Sequence, residues 1–195
     1  MKQTPEQVWV SDITYLGTRK KPLYLSLVSD AYFKKIMGFN LSNTLKQEGA
    51  IDTLKMAIKN RDYSTESLIH HSDRGLQYCG YEYQRILDKH EVRRSMTENA
   101  DPYENAIAER INGILKDEFM LDQHIVNQQT MAKIVKQSIN IYNPYRPHWN
   151  CELLIPNQMH RQRNIKKPVY KKKLAVRKLL LLIIILYLYK SVNLY

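Results

Sequence analysis

A mixed α/β fold, with helices flanking one sheet, is the class this sequence predicts. Three strand-like stretches come first; a helix-period stretch follows, then strand, helix, strand and further helices. The links between the first three are short enough for an antiparallel meander. A length of 195 residues, 44% of them hydrophobic and 25% charged, suits one domain with a real core and some tail left over.

Residues 8–15 alternate, with Val8, Val10, Asp12 and Thr14 on one face and Trp9, Ser11, Ile13 and Tyr15 on the other. Residues 22–30 read as a second, largely buried strand, and the stretch K-K-I-M-G-F-N-L as a third. A helix is expected over about 44–59, with Ile51, Leu54 and Ile58 on one stripe. Residues 67–71 read as a short strand, 81–90 as a helix and 92–96 as another short strand. Asp101 as N-cap, Pro102 at the first helical position and Glu104 closing a capping box announce the next helix. Its apolar stripe is Ile107, Ile111 and Ile114, with Glu109 and Lys116 roughly opposite at 100° per residue. A last helix, about 127–142, turns Met131, Ile134, Val135 and Ile139 inward and is expected to stop before Pro144.

The net charge of +11 is unevenly spread. Residues 153–195 carry 10 Lys+Arg and no acid, so the excess belongs almost wholly to a tail, concentrated in 161–178. Such a run attracts phosphate by counterion release, or simply keeps a chain end solvated. The apolar run Leu179–Tyr189 has 11 residues, well short of the ~20 that span a bilayer, so no membrane partner is expected. Cys79 and Cys151 stand apart without a C-x-x-C, which excludes a four-thiolate zinc site and a disulfide framework. A cytoplasmic location fits that cysteine usage and the absence of a signal-like apolar stretch in M-K-Q-T-P-E-Q.

The chemistry rests on three carboxylates. Asp12 lies inside a strand pattern, where aspartate is disfavoured, and needs a partner: a lysine or backbone amide, or a cation. Asp73 precedes Arg74-Gly75 at a strand exit, where aspartate is also a common turn former. Glu109 lies on a helix with thirty-five residues between it and Asp73, and alone would read as a solvated surface glutamate. Jointly, a mid-strand acid, a strand-exit acid and a helix acid can converge on a pair of hard divalent cations, a general solution to phosphodiester chemistry. His70 and His71 read as strand residues, one buried and one facing out, because such sites prefer oxygen ligands. Arg146 and His148, in Y-N-P-Y-R-P-H, form either a phosphate clasp or a proline-stiffened turn that locks the last helix.

The stretches W-V-S-D-I-T-Y, H-S-D-R-G-L-Q-Y, A-E-R-I-N-G-I-L-K-D-E-F and Y-N-P-Y-R-P-H together resemble the catalytic core of insertion-sequence transposases. These belong to the retroviral-integrase-like group with an aspartate, aspartate, glutamate triad. The resemblance covers about residues 5–163, leaving 164–195 as a basic and then apolar tail. It implies an RNase H-like fold with a five-stranded mixed sheet and helices on both faces. It also implies a polynucleotidyl transferase using Mg²⁺ or Mn²⁺, with two ions held by Asp12, Asp73 and Glu109, and with Lys116 contacting the DNA end. By the same resemblance the partners are DNA and further copies of the chain, and the Y-N-x-x-R-P-H element has a structural role. Relatives of this kind usually carry an N-terminal helix-turn-helix reader, whereas this chain starts almost at the first catalytic strand. It is then either a truncated remnant or a catalytic module whose reader is a separate helix-turn-helix protein.

Overall fold

A computed structural model describes residues 5–64, 66–97 and 105–161. Five strands form one sheet: β1 (Val8–Thr18), β2 (Lys21–Asp30), β3 (Ile36–Ser42), β4 (Ile69–Ser72) and β5 (Arg93–Met96). Their order is β3-β2-β1-β4-β5. The first three form the expected antiparallel meander, while β4 pairs parallel with β1 and with β5, so the sheet is mixed. Helices α1 (Gln47–Lys59), α2 (Leu76–Cys79), α3 (Tyr81–Lys89), α4 (Ala106–Glu118), α5 (Gln128–Tyr145) and α6 (Pro156–His160) complete the fold.

The two sheet faces carry separate cores, as strand alternation requires. Trp9, Val28 and Met37 pack with Leu54 of α1 and with Tyr83 and Leu87 of α3. On the opposite face Leu16, Leu25 and Leu27 pack with Ile111 and Leu115 of α4 and with Met131, Val135 and Tyr142 of α5. α1 lies so close to β3 that a Cβ at Gly38 would stand 2.2 Å from the Thr53 carbonyl oxygen. That approach selects glycine there.

Two expectations change. Ile107 is 37% exposed, and the buried face of α4 is instead Ala108, Ile111, Asn112, Ile114 and Leu115. α4 leans onto the sheet through small Ala108 and through Asn112, which rotates the stripe away from Ile107. α5 runs through Pro144 to Tyr145 rather than stopping before it. The missing proline N–H matters little in a final turn, where Arg146 N still bonds the Tyr142 carbonyl and Asn143 exchanges two hydrogen bonds with Ile36 of β3. α5 is capped by Asn127, whose side chain accepts from Thr130 N, as the expected start near 127 requires. The cap at Asp101, Pro102 and Glu104 and the tail from 162 lie outside the described residues.

Y-N-P-Y-R-P-H resolves as a lock. Arg146 donates from Nε and Nη2 to the two Glu118 oxygens at 2.7 and 2.6 Å, joining the ends of α4 and α5. Tyr142 Oη donates to the Lys34 carbonyl at 2.9 Å, and buried His148 packs edge-on against the Tyr142 ring. Burial, with Arg146, Lys34 and Arg110 nearby, pushes His148 down to about 3, so it is a neutral packing group.

Candidate active site

β1 is the central strand, and Asp12 lies on its α4 face with Val10 and Leu16. Val10 is level with His71 in the parallel β1–β4 pairing. β4 ends at Ser72, and Asp73 just beyond it is near enough to Asp12 for its charge to act there. Asp73 follows the last residue of β4 and caps its own turn, Gly75 N donating to Asp73 Oδ1 at 2.9 Å. The expected turn role is therefore seen: one Asp73 carboxylate oxygen sets the loop, and the side chain is exposed. Glu109 is exposed in the first turn of α4.

Asp12 records that the three acids share one neighbourhood. Its pKa is pushed from 3.8 up to about 6, chiefly by burial, with the charges of Asp73 and Glu109 adding to the effect. The Asn112 amide and the Ile13 backbone N–H, which favour the anion, do not offset this. Asn112 Nδ2 donates to Asp12 Oδ2 at 2.7 Å, and Asn105 Nδ2 donates to the Ser11 carbonyl at 3.3 Å, so both amides fasten α4 to β1. Neither asparagine stood out in the sequence. The available signal was Asn112 itself, a poor helix-interior residue three positions after Glu109.

On the opposite face of β1, His70 Nε2 lies 2.7 Å from Ser11 Oγ and 2.9 Å from Tyr83 Oη. Burial drives His70 down to about 3, so a neutral ring ties β1, β4 and α3 together. His71 differs from its expected outward role. It lies on the α4 face beside Val10, with Nδ1 2.9 Å from Ser95 Oγ and a buried Nε2. Lys116, half-buried, stands seven residues beyond Glu109, about 10 Å up the same helical face.

The donor set fits hard divalent cations: three carboxylates, one destabilised as an anion, and among the described residues no cationic side chain bonded to Asp12. The three are not drawn into mutual contact. Among the described residues only Glu6, Asp62 and His160 have donor atoms all within 4.8 Å of one another. Anions without a counterion repel, and a pair of ions about 3.5–4 Å apart takes ligands spread more widely than one ion does.

Solved structures share this architecture. The chain is similar to one in the cryoEM structure of the simian T-cell lymphotropic virus intasome in complex with PP2A regulatory subunit B56 gamma. The TM-score is 0.69 at 18% identity, over 88% of this chain and 60% of that one. The HTLV-2 integrase catalytic core domain in complex with magnesium gives 0.64 at 17%, over 82% of this chain and 99% of that one. The fold is thus that of the RNase H-like catalytic cores.

Two family models, each described as an integrase core domain, match residues 2–102 and 90–156. The chain belongs to the integrase core domain family. It is 35% identical over 159 residues to transposase InsF for insertion sequence IS3fB of Escherichia coli (strain K12), covering 81% of this chain and 55% of that protein. It is 34% identical over 145 residues to an uncharacterized 31 kDa protein of insertion element IS600 from Shigella sonnei, covering 74% and 53%. The chain therefore spans about half the length of the curated relatives it matches.

Proposed function

We propose that this chain is the catalytic core of a DNA transposase, cutting a phosphodiester at an element end and joining the exposed 3′-hydroxyl to target DNA. The observation that carries the reading is Asp12, half-buried in the central strand, held by the Asn112 amide and within reach of the charges of Asp73 and Glu109. Asp12, Asp73 and Glu109 would hold divalent cations, Mg²⁺ or Mn²⁺ and two in number. Bound, such ions activate the attacking oxygen and stabilise the leaving one.

The chain's own groups supply positioning. Asn112 fixes one Asp12 oxygen, the Gly75 N–H fixes one Asp73 oxygen, and the neutral His70 network holds the strands beneath them. Lys116 grips a phosphate near Glu109. Water attacks first, releasing a 3′-hydroxyl, which then attacks a second phosphodiester in line, so that no protein nucleophile is used. Work on paired ends calls for a homo-oligomer. Recognition of the element's terminal sequence falls to a helix-turn-helix region or partner protein.

Asp73→Asn should abolish Mg²⁺-dependent cleavage while largely sparing DNA binding; a fully active variant contradicts the assignment. A pre-cut 3′-hydroxyl end separates a transposase from an RNase H-like nuclease, which hydrolyses and never joins. Salt-sensitive DNA retention without any metal-dependent cleavage would instead mark a non-catalytic remnant.

A further inference from the structure

The hairpin joining β1 to β2 carries more charge than its turn needs. Thr18 pairs with Lys21, leaving a two-residue loop of Arg19 and Lys20. Loops of this length favour Asn, Asp and Gly. Here the positive φ falls on Gly17 (79°), where a Cβ would meet the Lys21 carbonyl oxygen at 2.8 Å, and the tip itself is given to cations. Arg19, Lys20 and Lys21 are all exposed. Among the described residues none of the three has a carboxylate within ion-pair distance. Three neighbouring like charges repel one another, and no ion pair among the described residues offsets that.

Beside the hairpin lies a groove of about 480 Å³ lined by Thr18, Lys21, Asn43, Asn127 and Gln128, with Ile125 as an apolar wall and no acid in the lining. Its far side is the amino end of α5, whose first turn also lacks an acid. The direction of the groove is informative. β1 runs past Asp12 for six more residues to Thr18, so the tip stands about 20 Å beyond Asp12, on the side to which β4 delivers Asp73. Lys116 stands about 10 Å along α4 from Glu109.

We infer that Arg19, Lys20 and Lys21, with the groove beside them, form a second DNA-contact site that holds the sugar–phosphate backbone of the duplex engaged at the candidate active site. At 3.4 Å per base pair the contact falls about six base pairs from the reacting phosphate. The cations meet phosphate, the amide side chains donate to backbone oxygens, and Ile125 lies against deoxyribose. The inference rests on the DNA-acting reading and adds to it a site remote from the carboxylates.

The test measures the affinity of the full chain for duplex DNA between 50 and 200 mM salt, for the parent and for R19Q/K20Q/K21Q. Loss of three phosphate contacts lowers the log–log salt slope by about 2.7, so the parent should lose about 40-fold more affinity than the variant over that range. K20R/K21R should keep the parent slope. Shortening the duplex to about four base pairs beyond the scissile phosphate should abolish the difference between parent and triple variant. An unchanged slope in a variant that melts like the parent overturns the inference, and so does a difference that persists on the short duplex. A parent that binds no DNA at any salt overturns the DNA-acting reading itself, and is distinct from either result.

Discussion

Two acidic clusters in this protein invite opposite conclusions from geometry and from charge. Glu6, Asp62 and His160 are the tighter group, with donor atoms within 4.8 Å, yet their charge is already answered. Glu6 accepts from Arg61 Nε at 3.1 Å, from Asp62 N at 2.8 Å and from Tyr63 N at 3.2 Å, with His160 Nε2 at 3.3 Å. Lys35 Nζ lies 3.2 Å from both Asp62 Oδ2 and His160 Nδ1, where a bound cation would otherwise sit. Burial alone would raise the Glu6 pKa, but the His160, Asp62 and Tyr63 contacts bring it below 4.5. Asp12, Asp73 and Glu109 are looser but unanswered, and Asp12 rises to about 6. A metal-like constellation is thus better recognised by its unmet charge than by its compactness.

The contrast can be broken most sharply at Glu6. Glu6→Gln strands Arg61 and His160, whose side chains are 8% and 0% exposed, and should destabilise the fold by about 3–5 kcal/mol in urea. A loss under about 1 kcal/mol would show that the buried cluster is not the clasp described.

At Asp12 the opposite sign is expected. Its folded pKa lies above the unfolded value, so its own contribution to metal-free stability is fully present below 3.8 and is lost as pH rises through about 6. Glu6, with a lowered pKa, adds stability above 4.5 that disappears as pH falls. Asp12→Asn should therefore stabilise the metal-free protein at pH 7, by roughly 1–3 kcal/mol. It should also blunt the Mg²⁺-dependent rise in melting temperature expected of the parent. Destabilisation by Asp12→Asn, with the parent's Mg²⁺ response intact, would remove the contrast.

The smallest effect is at the lock between α4 and α5. Arg146→Ala should lower stability by about 1–2 kcal/mol, because its partner Glu118 remains partly solvated. Mg²⁺-dependent cleavage, corrected for the folded fraction, should be unchanged. A selective loss of DNA binding would revive the phosphate-clasp role for Arg146.

Much of this was legible in the chain. Period-two alternation placed Asp12 on the same strand face as Val10, and the seven-residue spacing placed Glu109 and Lys116 on one side of a helix. The strand-exit position of Asp73 followed from H-S-D-R-G. Ile107 misled because a hydrophobic stripe gives a helix's apolar side only to within a residue, while Asn112 was drawn inward by a strand carboxylate far away in sequence. The clasp around Glu6 was invisible for a related reason. Its members come from the start of the chain, the loop after α1 and the end of α6, a set no local pattern joins.

Sequence by itself determined the periodicities, and hence the strands, helices and faces, because backbone geometry repeats over two or 3.6 residues whatever lies elsewhere. It also supplied the chemical types of the acids. Only tertiary structure decided which acids are neutralised and which stand uncompensated, because desolvation and Coulomb interaction depend on distance in space. Lys35 and Arg61 reach one cluster; among the described residues no cationic side chain bonds to Asp12 in the other.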